Sequence, residues 1–550
     1  MSKKGIRVRR SMSMAVACGL GMTLAFGCAA PASPAFAVPA ASTSSITLNK
    51  AGDGTYKVYQ LFTGSFVQEG SQWHMTDAIA NAEHKQAIVE AIRVYDPAFK
   101  FDESAPDHTQ ANALTDAIVK IDEDDSAQKF ANTLAEKLGS SAADKTATAT
   151  NGTLSITGIS DGYYLVVSDA ASKPGAAATS AVLVPVHGAT TGNAKISVPT
   201  VDKTVMDDGG SALDQEFGES ADAGLVADQM SKLTFRLEGT VPGNIAEFTS
   251  GASGSHNYYY AFVDTLPKGF DVDSEELAGW GVQIMCGAHD VTADFTPTVT
   301  TDPATHTSTI RWATTDLKGV LENAGIAEPD MASQRIVVTY APVYDPQDIE
   351  RLVAYHETLD PQTNTAKIEF SNSPYAEGHG ESVPDEAKTY DYSLQIAKID
   401  DKQQALAGAE FTLKVAGGKD AGKVVAVATG ETGIFKFAGL ESDVEYTLTE
   451  TKVPAGMKSI DPITFKIQAT KDQAGQVTGV SYVEVKDPSN AATWAQTDAA
   501  NAFIKLNITN VPGPDLPLTG RAGIIGGVVM GGIVLTVSAA ALVRNRRDRA

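Results

Sequence analysis

Leu233-Thr-Phe-Arg-Leu237 alternates apolar and polar residues without a break, the period of a half-buried strand and not of a helix. Further strand-length runs lie around it at Tyr258-Tyr-Tyr-Ala-Phe-Val263, Ile336-Val-Val-Thr-Tyr340 and Lys367-Ile-Glu-Phe370, separated by Gly, Pro and Asp turns. Residues 199–388 therefore read as a β-sandwich. Downstream, Leu394-Gln-Ile-Ala-Lys398, Glu410-Phe-Thr-Leu-Lys414, Val424-Val-Ala-Val427, Tyr446-Thr-Leu-Thr-Glu450 and Phe503-Ile-Lys-Leu-Asn-Ile508 give a second β unit over 389–512. Upstream, residues 45–198 are mixed. Strand patterns at Gly54–Phe62, Leu154–Ile156, Tyr163–Val167 and Ala181–Val186 flank helical spacing at Ala78–Tyr95, Gln110–Ile121 and Ser126–Leu138. The expected fold is mainly β: tandem Ig-like β-sandwiches behind a first domain with some helices. The stretch Glu377–Thr389, rich in Gly, Glu and Pro, reads as a linker.

Both ends read as processing signals. Lys3, Lys4, Arg7, Arg9 and Arg10, an apolar stretch from Met14 to Phe26 and Ala35-Phe36-Ala37 make a secretory signal peptide over residues 1–37. At the other end, residues 513–550, an uncharged run from Ala522 to Val543 is long enough to cross a bilayer, and Arg544 to Arg549 should hold its end in the cytoplasm. Removing a leader of +5 and a tail of +4 from a chain of −24 leaves about −33 on residues 38 to 519. That surface repels nucleic acid and anionic lipid. With Cys18 and Cys28 in the leader, Cys286 has no partner, so this secreted chain cannot be held by a disulfide of its own.

Several local patterns carry no chemistry. Gly158-Ile-Ser-Asp-Gly162 fits G-x-S-x-G, but a nucleophile elbow needs a helix after it and a strand follows instead. Gly417-Gly-Lys-Asp-Ala-Gly-Lys423 nearly spells a phosphate loop, with Val424 where Ser or Thr would meet magnesium. The nine histidines show no metal-ligand spacing, so neither metal nor cofactor is expected.

Three stretches resemble the backbone pilins of Gram-positive bacteria. They are Gly162-Tyr-Tyr-Leu-Val-Val followed by Val198-Pro-Thr-Val-Asp-Lys-Thr-Val205; Asp264-Thr-Leu-Pro-Lys-Gly-Phe270 with Asn364-Thr-Ala-Lys-Ile-Glu-Phe-Ser-Asn372; and Leu406-Ala-Gly-Ala-Glu-Phe411 with Tyr446-Thr-Leu-Thr-Glu-Thr-Lys-Val-Pro-Ala-Gly456. The last pair is similar to the collagen-adhesin B-type fold and its E-box. The resemblance implies a lysine–asparagine amide inside each of the two β domains. Such a bond needs a neutral lysine, which burial favours, and a buried carboxyl group to polarise the amide and shuttle protons. Fixed orientation does the rest, since two side chains locked in contact react as one unit. In the third domain the resemblance implies Lys398, Asn510 (with Asn507 as its rival) and Glu450 as acid. In the second it implies Lys203, Asp264 as acid, and Asn372 as acceptor ahead of Asn364.

Leu516-Pro517-Leu518-Thr519-Gly520 before the apolar run looks like the sorting signal of Gram-positive surface proteins. The resemblance implies cleavage between Thr519 and Gly520 by sortase and transfer of Thr519 to an amine. Lys195, in Gly192-Asn-Ala-Lys-Ile, stands near where family members carry their linking lysine, but the usual Tyr-Pro before it and Asn after it are missing. Implied partners are sortase, further copies of the chain, other pilins, cell-wall peptidoglycan and a host surface ligand. The expected role is a structural, non-enzymatic shaft subunit on the cell surface; a wall-anchored monomeric adhesin or minor pilin with the same domains is the alternative.

Overall fold

The structure, a computed structural model, describes residues 44–69, 72–123, 126–139, 141–169, 178–194, 196–207, 217–226, 229–230, 233–267, 272–305, 307–342, 355, 357–417, 421–429, 432–495 and 502–514. The leader, Lys195, the Leu516–Gly520 motif and the apolar run after it lie outside the described residues. Among the described residues no helix is long and apolar enough to cross a membrane.

The architecture is mainly β, in three successive units. The first is an eight-stranded sheet carrying helices Lys85–Tyr95, Asp107–Glu123 and Ala127–Leu138. Ile88, Ile92, Leu114, Phe130 and Leu134 pack with Phe62 and Leu165 of the sheet, while its other face gathers Ile46, Leu48, Val58 and Ile156. The helical pattern placed at Ala78 is corrected. The strand Gln72–Ala80 runs to that point, Phe62 opposite Ala80, and the helix starts only at Lys85.

The second unit is a sandwich. One sheet orders Val201–Asp207, Leu233–Thr240, Arg335–Tyr340, Gln283–Cys286 and His289–Asp290. The other orders Ser220–Asp222, Asp385–Tyr390, Gln362–Ser371, Tyr260–Thr265, Thr307–Thr314 and Thr296–Asp302. Between them lies a core of Phe235, Leu237, Phe262, Trp312, Ile368 and lone Cys286. The linker read at Glu377–Thr389 is also corrected. His379–Glu381 and Asp385–Tyr390 pair with Gln362–Ser371 inside this sandwich, and Asp385–Tyr390 pairs on its other side with Ser220–Asp222. Ala387 is fully buried on that strand between half-exposed Glu386 and Lys388, so a polar composition concealed an alternating one.

Only Asp391 separates Asp385–Tyr390 from Tyr392–Asp400, the first strand of the third unit. There one sheet orders Ile434–Leu440, Tyr392–Asp400, Phe503–Asn510 and Ala492–Ala495, and the facing one orders Val424–Thr429, Glu410–Val415, Glu445–Lys452, Ile463–Lys471 and Val477–Lys486. First and last strands lie side by side and parallel, a pairing that requires a long connection, here the rest of the domain.

The units are bolted together by buried polar groups. Asp222 of the second, fully buried, accepts from the Tyr392 hydroxyl at 3.0 Å and from the backbone and hydroxyl of Ser442 at 2.9 and 2.5 Å in the third. Tyr375, after the Gln362–Ser371 strand, inserts into the helical core of the first unit and accepts from the Ser168 backbone N–H at 3.0 Å.

Candidate functional sites: two buried clusters of lysine, carboxyl and asparagine

Gln395-Ile-Ala-Lys-Ile places Lys398 on the face of Ile396, and both side chains are wholly buried. The parallel register sets Lys398 opposite Ile508 and Asp400 opposite Asn510, so Lys398 and Asn510 are diagonal neighbours on one face. Lys398 Nζ donates to Asn510 Oδ1 at 2.5 Å and to the Ile508 carbonyl at 3.1 Å. Glu450 reaches in from the facing sheet. Both its carboxyl oxygens accept from Asn510 Nδ2 at 3.1 Å, and one stands 3.8 Å from Lys398 Nζ, with no exposed side-chain surface on either residue. Asn507, on the opposite face from Asn510, takes no part in this cluster. Gly433, at φ 76°, lets the neighbouring chain close on Lys398: its carbonyl accepts the Lys398 N–H at 2.7 Å, and a Cβ there would sit 3.2 Å from the Lys398 carbonyl oxygen.

Burial disfavours an ammonium, and although Glu450 pulls the other way the Lys398 pKa falls to about 8. About a tenth is thus the free amine at pH 7, far more than for an ordinary lysine, and it is already in contact with the carboxamide it would attack. The reactive state, free amine beside protonated carboxyl, holds the same one proton as the ion pair. Cross-linking of freshly synthesised chain should therefore be insensitive to pH near neutrality and slow about tenfold per pH unit above about pH 8, where the pair loses that proton. The appearance of the Lys398–Asn510 peptide in digests sampled over time measures this.

The second cluster spans the two sheets of its sandwich. Lys203 shares a face with Val201 and Val205 on the first sheet, and its Nζ donates to Asp264 Oδ1 of the second at 2.7 Å, both side chains fully buried. Burial drives the Lys203 pKa down, with Asp264 opposing. The ammonium also lies 5.1 Å from the centre of the Phe235 ring and 5.8 Å from that of Tyr340.

The two candidate acceptors lie in different places. Asp264 lies opposite Ala366, and Asn364, two residues away on the same face, is fully buried with its Nδ2 donating to the Tyr340 hydroxyl at 2.8 Å. That hydroxyl in turn donates to Asp264 Oδ2. Asn372 sits six residues beyond Ala366, on the order of 20 Å along the strand, and donates instead to the His379 carbonyl at 2.9 Å. The structure thus brings Asn364, and not Asn372, to this cluster, while the buried Oδ1 atoms of both are without a hydrogen-bond partner. Tyr340 went unmarked by sequence reasoning. The alternation Ile336-Val-Val-Thr-Tyr340 does turn it inward with Ile336 and Val338, but nothing in the sequence names what it meets there.

Ser160, between the strands Thr153–Ile159 and Gly162–Ser168, accepts from Gln60 Nε2 at 2.8 Å, with no helix following. Glu410–Val415 and Val424–Thr429, on either side of the near phosphate loop, pair antiparallel. Among the described residues no group of His, Cys, Asp or Glu could hold a metal ion.

Residues 392–481 match the family described as the SpaA prealbumin-like fold domain. No curated protein matches the sequence. Solved structures with a similar course include the T6 backbone pilin of serotype M6 Streptococcus pyogenes, at 13% identity and a TM-score of 0.48, covering 87% of this chain and all of that one. The major pilin SpaD from Corynebacterium diphtheriae is 16% identical with a TM-score of 0.42, covering 86% of this chain and 98% of that chain. SpaA, a major pilin of the same organism, is 12% identical with a TM-score of 0.42, covering 85% and 100%.

Proposed function

We propose that this chain is a structural shaft subunit of a covalently polymerised surface pilus, stiffened by two intramolecular amides, Lys398–Asn510 and Lys203–Asn364. The observation that carries the reading is the wholly buried contact of Lys398 with Asn510 under the Glu450 carboxyl, in a domain that matches the SpaA family. An ammonium in such a place is strongly disfavoured, whereas an amide made from the same atoms carries no charge. A secreted protein without an internal disulfide gains in this way a tie that reductants cannot break.

In this reading sortase cuts after Thr519, holds the new carboxyl end as a thioester and passes it to Lys195 of the next subunit, the last copy being joined to cell-wall peptide. Glu450 and Asp264 serve the internal bonds, and the chain is a sortase substrate, not an enzyme acting on other molecules. The alternative, a single anchored adhesin, is favoured by one observation: Lys195 lacks the Tyr-Pro before it and the Asn after it. Immunoblots of wall extracts decide between them. An SDS-resistant ladder that collapses in Lys195→Ala and in Thr519→Ala supports the shaft, and a single band of unit size the adhesin. The mass of the mature subunit tests the rest. Each amide releases one ammonia, so two bonds lower the mass by about 34 Da, and a mass equal to that of the plain sequence refutes both.

A further inference from the structure

The two clusters differ in how the carboxyl group reaches the asparagine. Glu450 spans the whole site, with both oxygens on Asn510 Nδ2 and one facing Lys398. Asp264, one methylene shorter, binds Lys203 through Oδ1, while its Oδ2 meets the Tyr340 hydroxyl, and that hydroxyl meets Asn364 Nδ2 at 2.8 Å. A phenol occupies the position that the longer carboxylic acid fills in the third domain.

Tyr340 is held there firmly. It is 1% exposed, its ring stacks on Phe235 at 5.5 Å and on Trp280 at 5.8 Å, and Trp312 closes a further side at 5.4 Å. Its strand lies in the lysine's sheet, whereas Asp264 and Asn364 lie in the other, so Tyr340 bridges the interior of the sandwich. A hydroxyl accepts and donates at once, which a carboxylate cannot do.

We infer that Tyr340 is a catalytic proton relay for the Lys203–Asn364 amide, carrying a proton from Asp264 to the departing ammonia. The inference rests on the isopeptide reading above. Reaction starts from the neutral pair, in which one ammonium proton of Lys203 has moved to Asp264 and rests on its Oδ2. In that state the chain of donors reverses: the Asp264 Oδ2–H donates to Tyr340 Oη, and the phenol proton turns toward the Asn364 amide. Lys203 Nζ then bonds to Asn364 Cγ and the Cγ–Nδ2 bond breaks. One Nζ proton passes to Asp264 Oδ1, the Oδ2 proton passes to Tyr340, and the phenol proton passes to Nδ2. Ammonia leaves with three hydrogens, the new amide keeps one, Tyr340 ends as it began, and Asp264 ends as a neutral acid with its proton on Oδ1 in place of Oδ2.

The test is Tyr340→Phe in the full chain, made by cell-free synthesis and sampled over time for intact mass and for the Lys203–Asn364 and Lys398–Asn510 cross-linked peptides. Phenylalanine keeps the ring in its stack. A relay of this kind is worth at least about a hundredfold in rate, so the second-domain link should form at least that much more slowly while the third-domain link forms at its usual rate. A Lys203–Asn364 link that forms at the wild-type rate in Tyr340→Phe overturns the relay. If Tyr340→Phe does not fold, judged by circular dichroism and loss of the third-domain link, a ring-fluorinated tyrosine at position 340 replaces it. Its more acidic phenol should shift the pH dependence of the second-domain link alone, and an unmoved profile overturns the relay. A wild-type chain that never contains the Lys203–Asn364 peptide instead removes the isopeptide reading of that domain, and the relay with it.

Discussion

Glu450→Ala is expected to leave the third domain without its amide, raising the mass of the mature subunit by about 17 Da over that expected from the sequence change alone and lowering the melting temperature of that domain by on the order of 20 °C. The mass follows because Glu450 is the carboxyl that touches the Asn510 amide nitrogen, and the amide is a poor electrophile until its nitrogen is protonated. The melting temperature follows from chain entropy. A cross-link between first and last strands closes a loop of more than a hundred residues, which by analogy with a disulfide is worth about 4 to 5 kcal/mol. For a domain of this size each kcal/mol moves the midpoint by several degrees. Removing Glu450 also leaves the buried Asn510 amide without its acceptors, at a cost of about 1 to 3 kcal/mol. Glu450→Gln separates the two effects, since it keeps the shape and an acceptor but has no proton to give. It should show the same excess of about 17 Da over its expected cross-linked mass, with a smaller fall in midpoint. Mass spectrometry and calorimetry read both quantities, and a Glu450→Ala chain that still loses ammonia in its third domain refutes the assigned role.

The second large effect separates two asparagines. Asn364→Ala should abolish the second-domain cross-link completely, whereas Asn372→Ala should leave it intact and cost about 1 to 2 kcal/mol of stability through the lost hydrogen bond to His379. Peptide mapping of the two variants answers this without reference to stability. A cross-link that survives Asn364→Ala and vanishes in Asn372→Ala would reinstate the acceptor expected from sequence.

These two asparagines also show where the sequence stops being legible. Alternation is enough to put Lys398 on the side of Ile396 and Lys203 on the side of Val201 and Val205, because the period of a strand is written in the strand itself. Register is not so written. Whether Asn364 or Asn372 stands level with Asp264 depends on how the Gln362–Ser371 strand slides against Tyr260–Thr265, and only their pairing fixes it. Tyr340 escaped for a similar reason, since its partners come from the facing sheet and lie far off in sequence. At Ala78-Ile-Ala80 the apolar spacing fitted the end of a strand as well as the start of a helix, and pairing with Phe62 decided it. Asp385–Tyr390 failed on composition: Glu386 and Lys388 look like linker residues until Ala387 is seen between them, buried.

The single residue between Tyr390 and Tyr392 has a mechanical meaning. With both amides in place, tension pulling on the ends of these two domains enters at Lys203, crosses to Asn364, and leaves from Lys398 to Asn510, bypassing most of each sandwich. What remains in series is the stretch from Thr365 to Ala397, which runs through that junction. Asp222 grips it from one side through Tyr392 and Ser442. In a polymer of such subunits that stretch would be the compliant part between two cross-linked domains, and the force at which Asp222 lets go would set its first yield.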